Sequence, residues 1–136
     1  YEDAFQDCRI LMAEDNDINA MIAVELLEGM GAKVDVAQNG QLALEAFQTK
    51  PEHYYDFILM DVQMPVLDGR AATRALRALD RSDATEIPIF ALSADAFIED
   101  ERLSMESGMN GHYSKQIDFI ALRRNVGAYL RRKETR

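Results

Sequence analysis

Four apolar residues in a row, Phe57-Ile58-Leu59-Met60, run straight into Asp61. A strand with no polar position on either face is buried on both sides, as happens when helices cover a parallel sheet. The rest of the chain repeats the theme. Short apolar runs at Arg9 to Ala13, Lys33 to Ala37, Ile87 to Leu92 and Gly111 to Ser114 alternate with stretches of helical periodicity. That order predicts βαβ units. The run Val34-Asp35-Val36 alternates and reads as an edge strand.

Helix faces fill the gaps between runs. Ala20, Ala23, Val24 and Leu27 share one face of a first helix, which Gly29 and Gly31 help to end. Ala43, Ala46 and Phe47 mark a second, with Pro51 beyond it, and Ala72, Ala75, Leu76 and Leu79 a third. Ala96 to Ser107 is acidic and weakly patterned; Phe119, Leu122, Val126 and Tyr129 mark a last helix. The expected fold is α/β, a doubly wound five-stranded parallel sheet with five helices. Residues 1–8 read as an extension, 9–130 as the domain and 131–136 as a tail.

The ends of the strands carry the chemistry. The first expected strand closes on Glu14-Asp15, the third on Asp61, the fourth on Ser93, and the fifth just before Lys115. In an open parallel sheet these carboxyl ends face one crevice, where ligands bind. Three carboxylates gathered there repel one another unless a cation joins them. An all-oxygen set of this kind suits a hard divalent metal, and the ammonium and hydroxyl beside it suit a phosphoryl group.

Composition narrows the alternatives. With 15 basic and 24 acidic residues the formal charge is −9, against the basic footprint that nucleic acid requires. No apolar stretch approaches the length that spans a bilayer. Cys8 stands alone, which points to a reducing compartment and a buried thiol, and with two histidines it makes no zinc site. The seven methionines read as core filler. The first residue is Tyr1 and not Met, as expected of a piece of a longer protein.

Several motifs agree in order and spacing: Ala13-Glu14-Asp15-Asn16, Met60-Asp61-Val62-Gln63-Met64-Pro65, Asp68-Gly69, Ala91-Leu92-Ser93-Ala94 and Ser114-Lys115. Together they closely resemble the receiver domain of two-component response regulators, from about Arg9 to Leu130. The resemblance implies a flavodoxin-like strand order of 2-1-3-4-5. It makes Asp61 the phosphoacceptor, taking a phosphoryl group from a phosphohistidine. Mg²⁺ is expected on Asp15, Asp61 and the main-chain carbonyl of Gln63, with Glu14 acting mainly through a water on the metal. Lys115 is expected to pair with a phosphoryl oxygen, and Ser93 to act as the switch hydroxyl. Such a domain takes up and loses phosphate and does not turn over a substrate.

The run Glu14-Asp15-Asn16-Asp17-Ile18-Asn19 particularly resembles receivers fused to hybrid sensor histidine kinases. The implied partners are a histidine kinase domain and a histidine phosphotransfer protein, on the cytoplasmic side of a membrane; this domain itself inserts in none. A stand-alone response regulator is the alternative. An aspartate-nucleophile phosphatase wants a second aspartate two residues on as acid/base, where this chain has Gln63. A flavin or dinucleotide site wants a glycine-rich loop after the first strand, where Glu14-Asp15-Asn16-Asp17 repels phosphate.

Two positions depart from the family pattern. Gln116 stands where a proline usually follows the lysine, and a cis bond before a non-proline residue costs roughly 3 kcal/mol, so either a trans bond or a strained loop is expected. His112 stands where a tyrosine or phenylalanine is common, and is the candidate switch ring. Tyr113 is expected on the opposite face.

Overall fold

The computed structural model describes residues 5–62, 64, 66–93 and 98–114, with side chains at 93, 98–101 and 114 excepted. Five strands form: β1 Arg9–Ala13, β2 Lys33–Ala37, β3 Phe57–Asp61, β4 Ile89–Ser93 and β5 Gly111–Ser114. They make one parallel sheet in the order β2-β1-β3-β4-β5. The helices described are α1 Asp17–Gly29, α2 Gly40–Thr49, α3 Gly69–Arg77 and α4 Ile98–Glu106, with a single 3-10 turn at Ser82–Ala84. The expected last helix, with Phe119 and Tyr129, lies outside the described residues.

The central strand is buried at all five positions. The sheet separates two apolar layers, as its double covering requires. Leu11, Phe47, Ile58, Met60, Leu76 and Ile89 belong to one. Phe5, Ile10, Leu27, Phe57, Leu59 and Phe90 belong to the other. Phe5, ahead of the first strand, is fully buried; its ring centroid lies 5.7 Å from that of Phe57, and its N–H donates to the Met30 carbonyl (2.9 Å). Cys8 is buried as expected.

The expected elements shift at their ends for local reasons. β4 begins at Ile89 and not at Ile87. Pro88 has no N–H for the ladder, although its carbonyl still accepts from Ile58 (2.9 Å) and Ile87 stays in the core. α3 stops at Arg77, so Leu79 packs from the turn beyond it. After α1, Gly31 takes φ +96°. Of the methionines, Met12, Met60 and Met109 are buried, and Met30 and Met64 pack at the edge of the core. Met21 and Met105 are exposed, so filling the core accounts for five of the seven.

The edge opposite the strand carboxyl ends is braced by charge. Arg81 binds Asp83 through Nε (2.8 Å) and Nη2 (3.1 Å), and its Nη1 donates to the carbonyls of Phe47 and Lys50. Asp83 also accepts from the His53 N–H (2.9 Å). Burial alone raises the Asp83 pKa, but the Arg81 and His53 hydrogen bonds outweigh it and hold the carboxyl below its ordinary value. Arg77 closes the end of α3 against the Gly108 and Ala84 carbonyls and Asn110. Desolvation lowers its pKa. Tyr55 donates to Asp35 on β2 (2.8 Å), and burial pushes its hydroxyl pKa up.

Candidate metal and phosphoryl site

Parallel register sets the site. Ala13 pairs with Met60 and Asp61 with Leu92, so the residues at and just past the ends of β1, β3 and β4 emerge side by side at one edge. Glu14 continues the ladder, its N–H donating to Ala37 (2.9 Å), and its carboxylate accepts from the Asn16 N–H (3.1 Å). Asn16 caps α1 by accepting from the Asn19 N–H (3.0 Å). Asn16 thus fills the capping role, and Asp15 is not needed for it.

Glu14, Asp15 and Asp61 come together, with one ligand oxygen from each within 4.8 Å of the others. Glu14 is 3% exposed and Asp61 fully buried, while Asp15 faces solvent. At an effective dielectric of about 20, two ionised carboxylates at such a separation repel by roughly 3 kcal/mol, before the screening available to Asp15. Hard oxygen donors crowded in this way fit a small divalent cation.

The loop after β3 is fixed by close backbone contacts. The Val62 N–H donates to Leu92 (2.9 Å), and the Gly69 N–H donates back to Val62 (3.1 Å). A Cβ at Gly69 would stand 2.1 Å from the Asp61 carbonyl oxygen, so only glycine lets α3 start there. Asp68 caps that helix by accepting from the Ala71 N–H (2.8 Å). Gly40, which no sequence motif marks, anchors the same loop. Its N–H donates to Leu67 (3.0 Å), and a Cβ would lie 2.1 Å from that carbonyl. Nothing in a lone Asn-Gly pair before a helix announces this contact, since its partner lies 27 residues away. Val66 has φ +70° and is 80% exposed, an unfavourable conformation for a β-branched residue.

The other expected site residues divide by what is described. Ser93 ends β4, in register with Ser114 of β5. Lys115, Gln63 and the Lys115–Gln116 bond lie outside the described residues. His112 and Tyr113 do point to opposite faces. Tyr113 packs on Phe90, with ring centroids 6.0 Å apart, whereas His112 Nδ1 lies 3.1 Å from the Ser104 hydroxyl of α4.

This geometry agrees with the comparisons. Residues 10–127 match the model of the response regulator receiver domain. The chain belongs to the response regulator receiver domain family. As a receiver domain it is similar to part of the sensor histidine kinase GacS of Pseudomonas protegens, 43% identical over 110 residues. That match covers 80% of this chain but 12% of the kinase. Among solved structures, it resembles the receiver domain of sensor histidine kinase PA1611 from Pseudomonas aeruginosa, which has a magnesium ion coordinated in its active-site cleft. The TM-score is 0.79 at 32% identity, covering 90% of this chain and 97% of that one. It also resembles a Saccharomyces cerevisiae co-crystal of the phosphotransfer protein Ypd1 and the receiver domain of Ssk1. There the TM-score is 0.78 at 26% identity, over 92% of this chain and 90% of that one. No helix among the described residues of this receiver domain is long and apolar enough to cross a membrane.

Proposed function

We propose that Asp61 is the phosphoacceptor of this receiver domain. The observation that carries the reading is the meeting of Glu14, Asp15 and Asp61 at the carboxyl edge of the sheet. A carboxylate oxygen of Asp61 attacks phosphorus, the N–P bond of a phosphohistidine breaks, and the electron pair returns to the imidazole nitrogen. Later attack by water on phosphorus releases phosphate and restores the carboxylate. Asp15, Asp61 and the carbonyl of Gln63 would hold Mg²⁺, with Glu14 shaping the site behind them. Bound there, the ion offsets the negative charge that builds up during transfer. Lys115 would pair with a phosphoryl oxygen, and Ser93 would donate its hydroxyl to another. His112 would act as the switch ring between the site and the α4–β5 face.

The domain would serve within a hybrid sensor histidine kinase, on the cytoplasmic side of the membrane. It would receive the phosphoryl group from a kinase histidine and pass it to a histidine phosphotransfer protein. The surface supports a partner that docks helix to helix. α1 starts two residues after Asp15 and exposes Ile18, Met21, Ile22 and Leu26 at helical spacing. A contiguous exposed apolar stripe is the kind of surface that partners cover.

Transfer from a phosphohistidine donor tests the reading. A phosphotransfer protein carrying labelled phosphohistidine, mixed with the receiver and Mg²⁺, is expected to lose label to the parent and keep it in the presence of Asp61→Asn. Equal transfer to the variant would place the acceptor elsewhere. Sustained hydrolysis of a generic phosphomonoester would instead favour a phosphatase.

A further inference from the structure

Three elements meet through one buried hydroxyl. Ser104 of α4 is fully buried. Arg70, in the first turn of α3, donates Nε–H to Ser104 Oγ (3.4 Å), and the same oxygen lies 3.1 Å from Nδ1 of His112 on β5. The Ser104 carbonyl is equally engaged. It accepts from the Ser107 hydroxyl (2.7 Å) and N–H (3.2 Å) and from the Met109 N–H (3.1 Å), which locks the end of α4. The hydroxyl is therefore presented to the ring from a fixed backbone.

The donors order this chain. Arg70 can only donate. Among the described residues, Nδ1 of His112 is the acceptor within reach of the Ser104 proton. The ring then carries its own proton on Nε2. That nitrogen is buried and has no hydrogen-bond partner among the described residues. A buried donor without a partner is unfavourable. The imidazole is thus tethered at one nitrogen and ill at ease at the other, poised to leave its place once the tether is outweighed.

We propose that Ser104 is a positioning residue for the switch: oriented by Arg70, it tethers His112 against α4, and the tether is released when Asp61 is phosphorylated. The proposal rests on the readings of Asp61 as acceptor and His112 as switch ring. By linkage, a contact that favours the unphosphorylated form resists phosphorylation by its own strength. A tyrosine or phenylalanine at this position has no counterpart of Nδ1, so the tether belongs to the histidine.

Acetyl phosphate with Mg²⁺ serves as the phosphodonor in the test, scored by intact mass. Ser104→Ala should phosphorylate about 2- to 10-fold more readily than the parent, the range expected for loss of one net hydrogen bond. The same substitution in a His112→Phe background should change nothing further. An equal effect in both backgrounds would make Ser104 merely structural, and no effect in the parent would also overturn the proposal. A second measurement needs no variant: side-chain ¹⁵N spectra of His112. Nδ1 should appear as an acceptor before phosphorylation and change when Asp61 is modified. An Nδ1–H ring, or spectra unmoved by phosphorylation, would refute the tether. If neither the parent nor any variant gains phosphate on Asp61, the acceptor assignment itself has failed, and the ¹⁵N state before phosphorylation still decides the tether.

Discussion

The two edges of the sheet treat buried acids in opposite ways. At the amino edge, Asp83 is 3% exposed and held by two nitrogens of Arg81 and the His53 N–H. At the carboxyl edge, Glu14 and Asp61 are equally buried, yet they are turned toward each other and toward Asp15. Asp83 has its counter-charge two residues away in sequence and serves the fold. The triad gathers three carboxylates at one edge of the sheet, which suits an incoming cation and phosphoryl group. Burial alone does not separate structural from functional carboxylates; what they face does.

The largest effect should come from disturbing the structural edge. Arg81→Ala leaves Asp83 buried without its cation and removes the link to the Phe47 and Lys50 carbonyls at the end of α2. Breaking a buried pair from one side costs about 3–5 kcal/mol, to be read from urea unfolding. A loss of phosphate uptake without any loss of stability would invert the contrast between the edges.

Gly69→Ala comes next, because it pushes a methyl against the Asp61 carbonyl. Overpacking of this kind costs about 1–3 kcal/mol. Here it should also slow phosphorylation, since the backbone of Asp61 must move. Unchanged labelling kinetics would show that Asp61 tolerates displacement.

The comparison is sharpest when one chemical change is made at both edges. Metal-free Asp61→Asn removes a like charge from the triad and should stabilise by on the order of 1 kcal/mol. Asp83→Asn should destabilise. The pH dependence carries the same sign. Asp83 titrates below an unfolded aspartate, so its contribution is present above the ordinary carboxylate range and lost as pH falls through the lower folded value. Asp83→Asn should therefore flatten acid unfolding in that window, as thermal melts across pH would show.

The smallest change is at Val66→Asn. Asparagine tolerates φ +70° better than valine, so a gain below about 1 kcal/mol is expected, with phosphorylation intact. A loss of stability would show that the exposed valine makes a contact worth its conformation.

The sequence made the sheet legible because each strand is a local apolar run, and uninterrupted burial of Phe57–Asp61 left little choice of layer. The acids were legible for a related reason: Asp61, Glu14 and Asp15 follow those runs directly, so parallel register alone gathers them. Gly40, Arg70 and Ser104 were not, because the Gly40–Leu67 and Arg70–Ser104 contacts join residues 27 and 34 apart, with no periodicity to betray them. The start of β4 is hidden for a smaller reason. Ile87 is as buried as a strand residue, but its N–H turns back to the Asp83 carbonyl (2.9 Å) and Pro88 has no N–H for the ladder.

The most direct test of the account is intact mass after incubation with acetyl phosphate and Mg²⁺, for the parent and Asp61→Asn side by side. The account predicts a phosphoryl adduct on the parent that is abolished by EDTA and absent in the variant. An adduct that persists in Asp61→Asn, or forms equally without divalent metal, would contradict it.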